Sequence, residues 1–540
     1  MALDQSGKFA LLILVFLSYL STAFADDKEK SSNNKIQKIS ARQVFDLLDF
    51  QIDGNTQLSQ RDLENALYPF LGSERSMSDI DAARKSLENF YHAAGYLTVY
   101  VDVPPQELKD GRVRLQVTEG YIERLRVSGS QYHSQQKIIE QVTEVQPGKV
   151  PDFNLMQKEL GQINLNNDLQ VVPVLREGKI LGSVDAELKV QDQLPLHGSV
   201  ELSDRYSQNT PHARINSGIH YDNLWQQGHS IGLNFTTAPG HSDQTTVWHA
   251  SYVMPWNDAS IALYALHSDS AASTVGDISV LGVGTVFGVR WNSHGISQGN
   301  WTHTLSVGLD YKSFEQTVNL SAGSSTSGYK TPIHYLPWQL QWHARGLTED
   351  GVQNNIGLAA NFSLRGLGND DFQFENNRYK ALASYLYIRG DLETIFPIGH
   401  SRLIFRGGSQ WSSQPLISND QYAIGGAESV RGYTEAARIG DRGLNGSLEW
   451  QSASIKLPLW LIGSGGSDLR WLAFYDWARA SILEPLPSQT THFRLASLGL
   501  GFRLQVKRHL STFFDIARPL LPDSDGHQQI RLHSRLVMEF

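Results

Sequence analysis

Arg531-Leu532-His533-Ser534-Arg535-Leu536-Val537-Met538-Glu539-Phe540 is the stretch that decides the fold. In an extended chain successive side chains point to opposite faces. Leu532, Ser534, Leu536, Met538 and Phe540 therefore share one face, and Arg531, His533, Arg535 and Glu539 share the other, with Val537 the one exception. Charges on one side and apolar residues on the other fit a wall between lipid and a polar lumen. One such segment is a weak signal. From His197 onward, however, segments of roughly ten alternating residues recur between turn residues, the pattern of a transmembrane β-barrel.

Working back from the last segment, strands are expected near 197–206, 212–221, 228–237, 244–254, 259–268, 280–292, 301–313, 336–347, 353–364, 378–390, 401–410, 446–457, 468–478, 493–505, 508–518 and 530–540. The even number suits a single-chain bacterial barrel. Tyr252, Trp256, Trp291, Trp301, Trp338 and Trp450 stand near segment ends, where interfacial girdles form. The expected fold class is membrane all-β. It consists of a 16-stranded antiparallel transmembrane β-barrel over 194–540, preceded by two α/β units over 43–119 and 120–193.

Each α/β unit reads β-α-α-β-β. In the first, a strand at Phe50–Ile52 precedes a helix capped by Ser59, with Leu63, Leu67 and Phe70 on its apolar face. Ser78, with Asp81 as capping-box partner, is expected to start the second helix. Strands at Tyr96–Val103 and Arg112–Thr118 close the unit. In the second, a strand at Tyr121–Val127 leads to helices begun by Ser134 and Asp152, then strands at Leu169–Leu175 and Leu181–Val190. A three-stranded sheet of this kind leaves strand edges, within 43–192, that an extended peptide can join.

Lys8, the apolar run Phe9–Leu17 and Ala23-Phe24-Ala25 form a secretory signal peptide over 1–25, so the mature chain is expected to start near Asp26. Residues 26–42 read as a flexible lead-in that could carry a plug helix. The apolar run is too short to span a bilayer, which takes about 20 residues. The chain has no cysteine, which excludes disulfides and thiolate metal sites. Its net charge of −9, with both signs interspersed, gives no reason to expect a nucleic-acid partner. The histidines show no His-x-x-x-His helical pair, so no metal and no cofactor is expected. No constellation joins a nucleophile to a base, which argues against an enzyme.

If the α/β units lie in the periplasm, the long connections near 314–335, 365–377 and 411–445 face outward. The last holds Gly425-Gly426-Ala427-Glu428-Ser429-Val430-Arg431-Gly432-Tyr433. A connection of roughly 35 residues without secondary structure of its own is usually functional or disordered. This one keeps Ile424, Val430, Tyr433 and Ile439, which disordered segments lack.

The tandem units resemble POTRA (polypeptide-transport-associated) domains, and Gly111-Arg112-Val113-Arg114-Leu115-Gln116-Val117-Thr118-Glu119-Gly120 resembles the closing strand of the first such domain in secretion pores. The terminal Phe540 resembles the C-terminal signal of outer-membrane barrels. Together with Val430-Arg431-Gly432-Tyr433 in the sixth outer loop, these features resemble the TpsB transporters of two-partner secretion, the hemolysin-activator type. The resemblance implies that the loop folds back into the pore and that Arg431 contacts an acidic residue on the wall. Phe474-Tyr475-Asp476 resembles the wall motif, which makes Asp476 the expected partner. Gly432 would let the backbone turn and Tyr433 would pack on the wall. Glu449 resembles the acidic position after the loop, with no separate role assigned.

The implied function is ATP-independent export of a large unfolded exoprotein (a cytolysin, an adhesin or a haem-related protein) by a monomeric pore in outer-membrane lipid. An outer-membrane insertase is the alternative, and a diffusive porin a weaker one.

Overall fold

The computed structural model describes residues 44–540 apart from 108–109, 181, 209, 243, 258, 276–277, 323–324, 369, 459–465, 488, 508, 523–525 and 527. The signal peptide and the lead-in expected over 1–42 lie outside the described residues. The described chain packs as two compact units. One takes in residues up to Glu123 with Gly148–Leu155 and Glu177–Val184. The other takes in Arg124–Pro147, Met156–Arg176 and Asp185–Phe540.

In the first unit, strands Asp49–Asp53, Arg112–Glu119 and Val99–Asp102 form a sheet in that spatial order. The first pair is parallel, with Phe50 opposite Val113, and the second antiparallel, with Val101 opposite Val117. Helices Gln60–Leu67 and Met77–Ala93 bury Leu63, Leu67, Ile80, Leu87 and Tyr91 against Val113, Leu115 and Val117. Ser59 caps the first helix as expected, its side chain accepting from the Asp62 N–H. The second helix starts two residues earlier than the Ser78–Asp81 reading. Its capping box is Ser76 with Asp79, because Asp79 Oδ2 can take both the backbone N–H and the hydroxyl of Ser76, each at 2.7 Å. Phe45–Leu47 and Gly72–Arg75 add a short antiparallel pair that alternation did not reveal.

A second three-stranded sheet runs in the order Tyr121–Ser128, Ser183–Asp192, Leu169–Glu177. Between its first strand and the other two lie helices Gln135–Gln141 and Phe153–Ile163. Pro173 sits in the edge strand Leu169–Glu177, where a missing N–H costs the ladder least.

The barrel is closed and antiparallel. Its sixteen spanning strands are Leu196–Ser203, Arg214–Leu224, His229–Thr237, Thr246–Trp256, Ala259–Val275, Ile278–Ser293, Trp301–Ala322, Pro337–Leu347, Gln353–Ser363, Tyr385–Ile398, Ser401–Ser412, Arg442–Gln451, Ser467–Ser481, His492–Val506, Leu510–Pro519 and Arg531–Glu539. The last pairs with the first from Arg535↔Ser203 to Glu539↔Ser199, which closes the cylinder. The faces divide as the terminal stretch predicted: Met538 is 54% exposed on the outer surface, and His533 is 6% exposed toward the lumen. Outward apolar residues such as Leu202, Leu233, Phe287 and Leu500 continue that surface on other strands. Among the described residues no helix is long and apolar enough to cross a membrane, so crossing rests on strands, whose backbone groups are satisfied by closure.

Three connections differ from expectation. The region 314–335 is not a loop: strand Trp301–Ala322 continues and pairs with Ser325–Tyr335. The region 365–377 contains a helix, Asp371–Asn377, capped by Asp370. The following strand begins at Tyr385, not 378, because Arg378–Ala381 close a turn through the Ala381 N–H to the Arg378 carbonyl. The connection after Ser412 carries its own small hairpin, Tyr422–Ile424 with Arg438–Gly440.

Candidate functional site

That small hairpin shapes the site. Pairing Tyr422 with Gly440 and Ile424 with Arg438 pinches off residues 425–437 as a tip. Gly425 and Gly426 follow with φ of 99° and 110°, a region L side chains rarely enter. The tip tightens through Gly426 N–H to the Val430 carbonyl at 3.2 Å, and the Ser429 hydroxyl accepts from the Gly425 N–H at 2.9 Å. Val430 is thereby turned into a small apolar cluster with Ile424, Tyr433, Ala478, Ala480 and Leu495.

The turn aims Arg431 at the inner wall. Its Nε donates to Asp476 Oδ2 at 2.8 Å and its Nη2 to Asp476 Oδ1 at 3.0 Å, a bidentate pair. The Arg431 backbone N–H donates to the same carboxylate at 3.1 Å. Nη1 donates to Glu449 Oε2 at 2.7 Å and lies 3.5 Å from Asp515 Oδ2. The guanidinium carbon sits 3.4 Å from the centroid of the Phe474 ring, a cation–π contact. Asp476 also accepts from the Ser447 hydroxyl at 2.6 Å, because Ser447 stands opposite Asp476 in the strand register.

Gly432 has φ of 94° and donates its N–H to His533 Nε2 at 2.8 Å. That bond needs a neutral ring whose proton is on Nδ1. A Cβ at this glycine would come within 3.3 Å of Ala517 Cβ, so the backbone lies close against the wall. The Tyr433 hydroxyl donates to the Leu521 carbonyl at 2.7 Å and lies 3.0 Å from the Ala496 carbonyl.

Further arginines flank the cluster, Arg406 among them with Glu393 as its nearer partner at 2.7 Å. Arg503 makes its own bidentate pair with Asp515, at 2.7 and 2.8 Å, and lies 3.8 Å from Glu449. Arg406 lies 3.9 Å from Glu449. Three arginines thus face the three carboxylates of Glu449, Asp476 and Asp515. A cavity of about 210 Å³ borders this network. At the edge of the tip, Glu428 pairs with Arg205 and lies 3.8 Å from Arg535.

Val430, Arg431, Gly432, Tyr433 and Asp476 all meet here. Glu449, given no role from the sequence, takes the shortest contact to Arg431. Ser447, Asp515 and His533 went unrecognised. Their signal was the alternation itself, since each faces the lumen from its strand, but which of the many lumenal polar residues meet the tip depends on register.

The sequence matches two family models: "POTRA domain, ShlB-type" over residues 45–120, and "Haemolysin secretion/activation protein ShlB/FhaC/HecB" over residues 182–504, more than half of the chain. The chain belongs to the ShlB/FhaC/HecB family. Members are outer-membrane transporters of the two-partner secretion type, with their POTRA domains in the periplasm, and the chain is an outer-membrane exporter of a partner exoprotein. It is 23% identical over 436 residues to the outer membrane transporter CdiB of Dickeya dadantii (strain 3937), covering 76% of this chain and 73% of the relative. It is 21% identical over 519 residues to the heme/hemopexin transporter protein HuxB of Haemophilus influenzae (strain 86-028NP), covering 88% and 84%. Among solved structures, CdiB from Escherichia coli superposes with a TM-score of 0.62 at 15% identity over 100% of both chains. BamA from Haemophilus ducreyi lacking POTRA domains 1–3 gives 0.56 at 15%, over 92% of this chain and 100% of that one. At such identity these two likenesses speak for the fold alone.

Proposed function

We propose that this ShlB/FhaC/HecB member captures its partner through the α/β units over 43–119 and 120–193 and threads it, unfolded, past the tip held by Arg431. The observation that carries this reading is the tip folded back onto the lumenal wall by a shared guanidinium. A chain cannot pass while that segment lies across its path, so export requires the tip to shift. Capture uses sheet edges, since an unfolded chain presents backbone groups that an open edge can pair. No nucleotide motif is present, and directionality comes from folding of the exoprotein outside the cell. The pore acts as a monomer in outer-membrane lipid and not as an enzyme. The partner is a large secreted exoprotein of the cytolysin, adhesin or haem-related kind, and the name of the HuxB relative, a heme/hemopexin transporter protein, supports the last of these.

The test is secretion of the co-encoded exoprotein by wild type and Arg431→Ala, scored in medium and periplasm, with heat-modifiability on a gel to report an intact barrel. Removing the guanidinium leaves Asp476 buried without its bidentate partner, a change that costs about 3–5 kcal/mol locally. Secretion should fall by at least about tenfold, the ratio worth roughly 1.4 kcal/mol, while the barrel persists. Undiminished secretion would remove the tip from the mechanism. Defective assembly of other outer-membrane barrels in a deletion strain, with no exported partner, would favour an insertase.

A further inference from the structure

Outside the Arg431 cluster, His197, His220 and Asp222 converge on the first hairpin of the barrel. The two histidines are distant in sequence and meet because the strands place His220 opposite His197. Asp222, two residues on, shares their face. One nitrogen from each ring and one Asp222 oxygen lie within 4.8 Å of one another. The rings are 4.9 Å apart between centroids, and His220 Nε2 is 3.5 Å from Asp222 Oδ2. A buried carboxylate backs the group: Asp168, 3% exposed, lies 2.8 Å from His197 Nε2 through Oδ2. Asp168 is itself fixed by Gln193, whose Nε2 donates to Oδ1 at 2.8 Å and whose backbone N–H donates to the Asp168 carbonyl at 3.0 Å.

We propose that His197, His220 and Asp222 form a binding site for a divalent transition-metal ion, with zinc as its reference ion. Two imidazoles and a carboxylate are a donor set suited to such ions, and three protein ligands leave the fourth position to water. Bonds of about 2.0–2.1 Å at tetrahedral angles set ligand atoms about 3.4 Å apart. His220 and Asp222 already stand at that spacing, and side-chain rotation closes the rest. His220 is exposed, so an ion can reach it. Asp168 has the place that a carboxylate takes behind a metal-bound imidazole, where it fixes the ring's orientation. Helical spacing could not indicate this site, because strand register alone brings its ligands together. A bound ion would fasten the first two barrel strands to each other and, through Asp168 and Gln193, to the linker that enters the barrel.

The experiment uses the full-length protein, purified in detergent with a tag free of histidine and stripped with chelator. Zinc is titrated by calorimetry, and cobalt by its visible absorption. Wild type should take up one equivalent of zinc and show the intense band of tetrahedral cobalt. His220→Ala should weaken zinc binding by about 100-fold or more, and Asp168→Asn by about 10–100-fold, the loss usual for an orienting carboxylate. His220 is exposed, so its replacement leaves the barrel folded, which heat-modifiability checks; Asp222→Ala repeats the test independently. Absence of saturable binding by wild type, or equal stoichiometry and affinity in His220→Ala and Asp222→Ala, would overturn the assignment.

Discussion

The connection between Ser412 and Arg442 is held at two places by different physics. At its base, Leu416 and Ile417 are buried in an apolar and aromatic cluster with Tyr335, Phe374 and Tyr385. Asp441, fully buried, ties both ends of the base together. It accepts from the backbone N–H groups of Leu416 and Leu483 and from the side chains of Gln421 and Arg378. At the tip, Arg431 is held almost entirely by charged side chains from several strands. Releasing the base would expose hydrocarbon to water and also break the bonds that hold the buried Asp441 carboxylate. Releasing the tip would instead return ions to water, and hydration of charges offsets much of the attraction it replaces. The tip is therefore the end suited to move and the base the end suited to stay.

The strongest way to break this comparison is to lock the tip. The chain has no cysteine, so Gly432→Cys with Ala517→Cys introduces a single pair. The 3.3 Å between the two Cβ positions is close to the spacing of about 3.5–4.5 Å that a disulfide takes. Oxidation should abolish export and reductant should restore it, with Gly432→Cys alone as the control for backbone strain. Export by the oxidised double variant would mean the tip need not move. Next in size is Arg431→Lys. A lysine keeps the charge but cannot bridge Asp476 bidentately while reaching Glu449. Secretion should fall nearly as far as in Arg431→Ala; wild-type secretion would reduce the cluster to simple charge neutralisation.

The contrast also explains what the sequence made legible. Period-two alternation located each of the sixteen strands, because a barrel wall needs one wet and one dry face on every strand. It missed the start at Tyr385 because 378–384 carry apolar residues for a different reason: Ala381 and Ala383 pack in the cluster at the base of the connection. Arg431 and Asp476 stood out through two short motifs. Asp515 and His533 did not, since each is an ordinary lumenal polar residue until register sets it beside the tip. The helix Asp371–Asn377 buries only Phe374, so it carries no apolar repeat for periodicity to identify.

Leu416→Ala tests the other half of the comparison. Truncating a leucine that is 2% exposed in a packed cluster costs about 2–5 kcal/mol. The loss falls at the base, so the expected signature is a looser connection in an assembled pore: faster proteolysis within 413–441 and larger resting conductance, with secretion retained. Loss of secretion without a rise in conductance would mean the base, too, takes part in the working motion.

The smallest expected effect is the most discriminating between packing and bonding at the tip. Tyr433 is 1% exposed, and its hydroxyl reaches the carbonyls of Leu521 and Ala496. Tyr433→Phe keeps the ring in the cluster with Val430 and Leu495 and removes only that hydroxyl, a loss of about 0.5–1.5 kcal/mol. Because Arg431 supplies the directional anchor, secretion should stay within about threefold of wild type, the ratio of rates that about 0.6 kcal/mol yields. Protease access to the tip should rise slightly in the same variant. A Tyr433→Phe protein as defective as Arg431→Ala would shift the anchor from the guanidinium to the tyrosine, and the tip would then be held by a neutral hydrogen bond and ring packing.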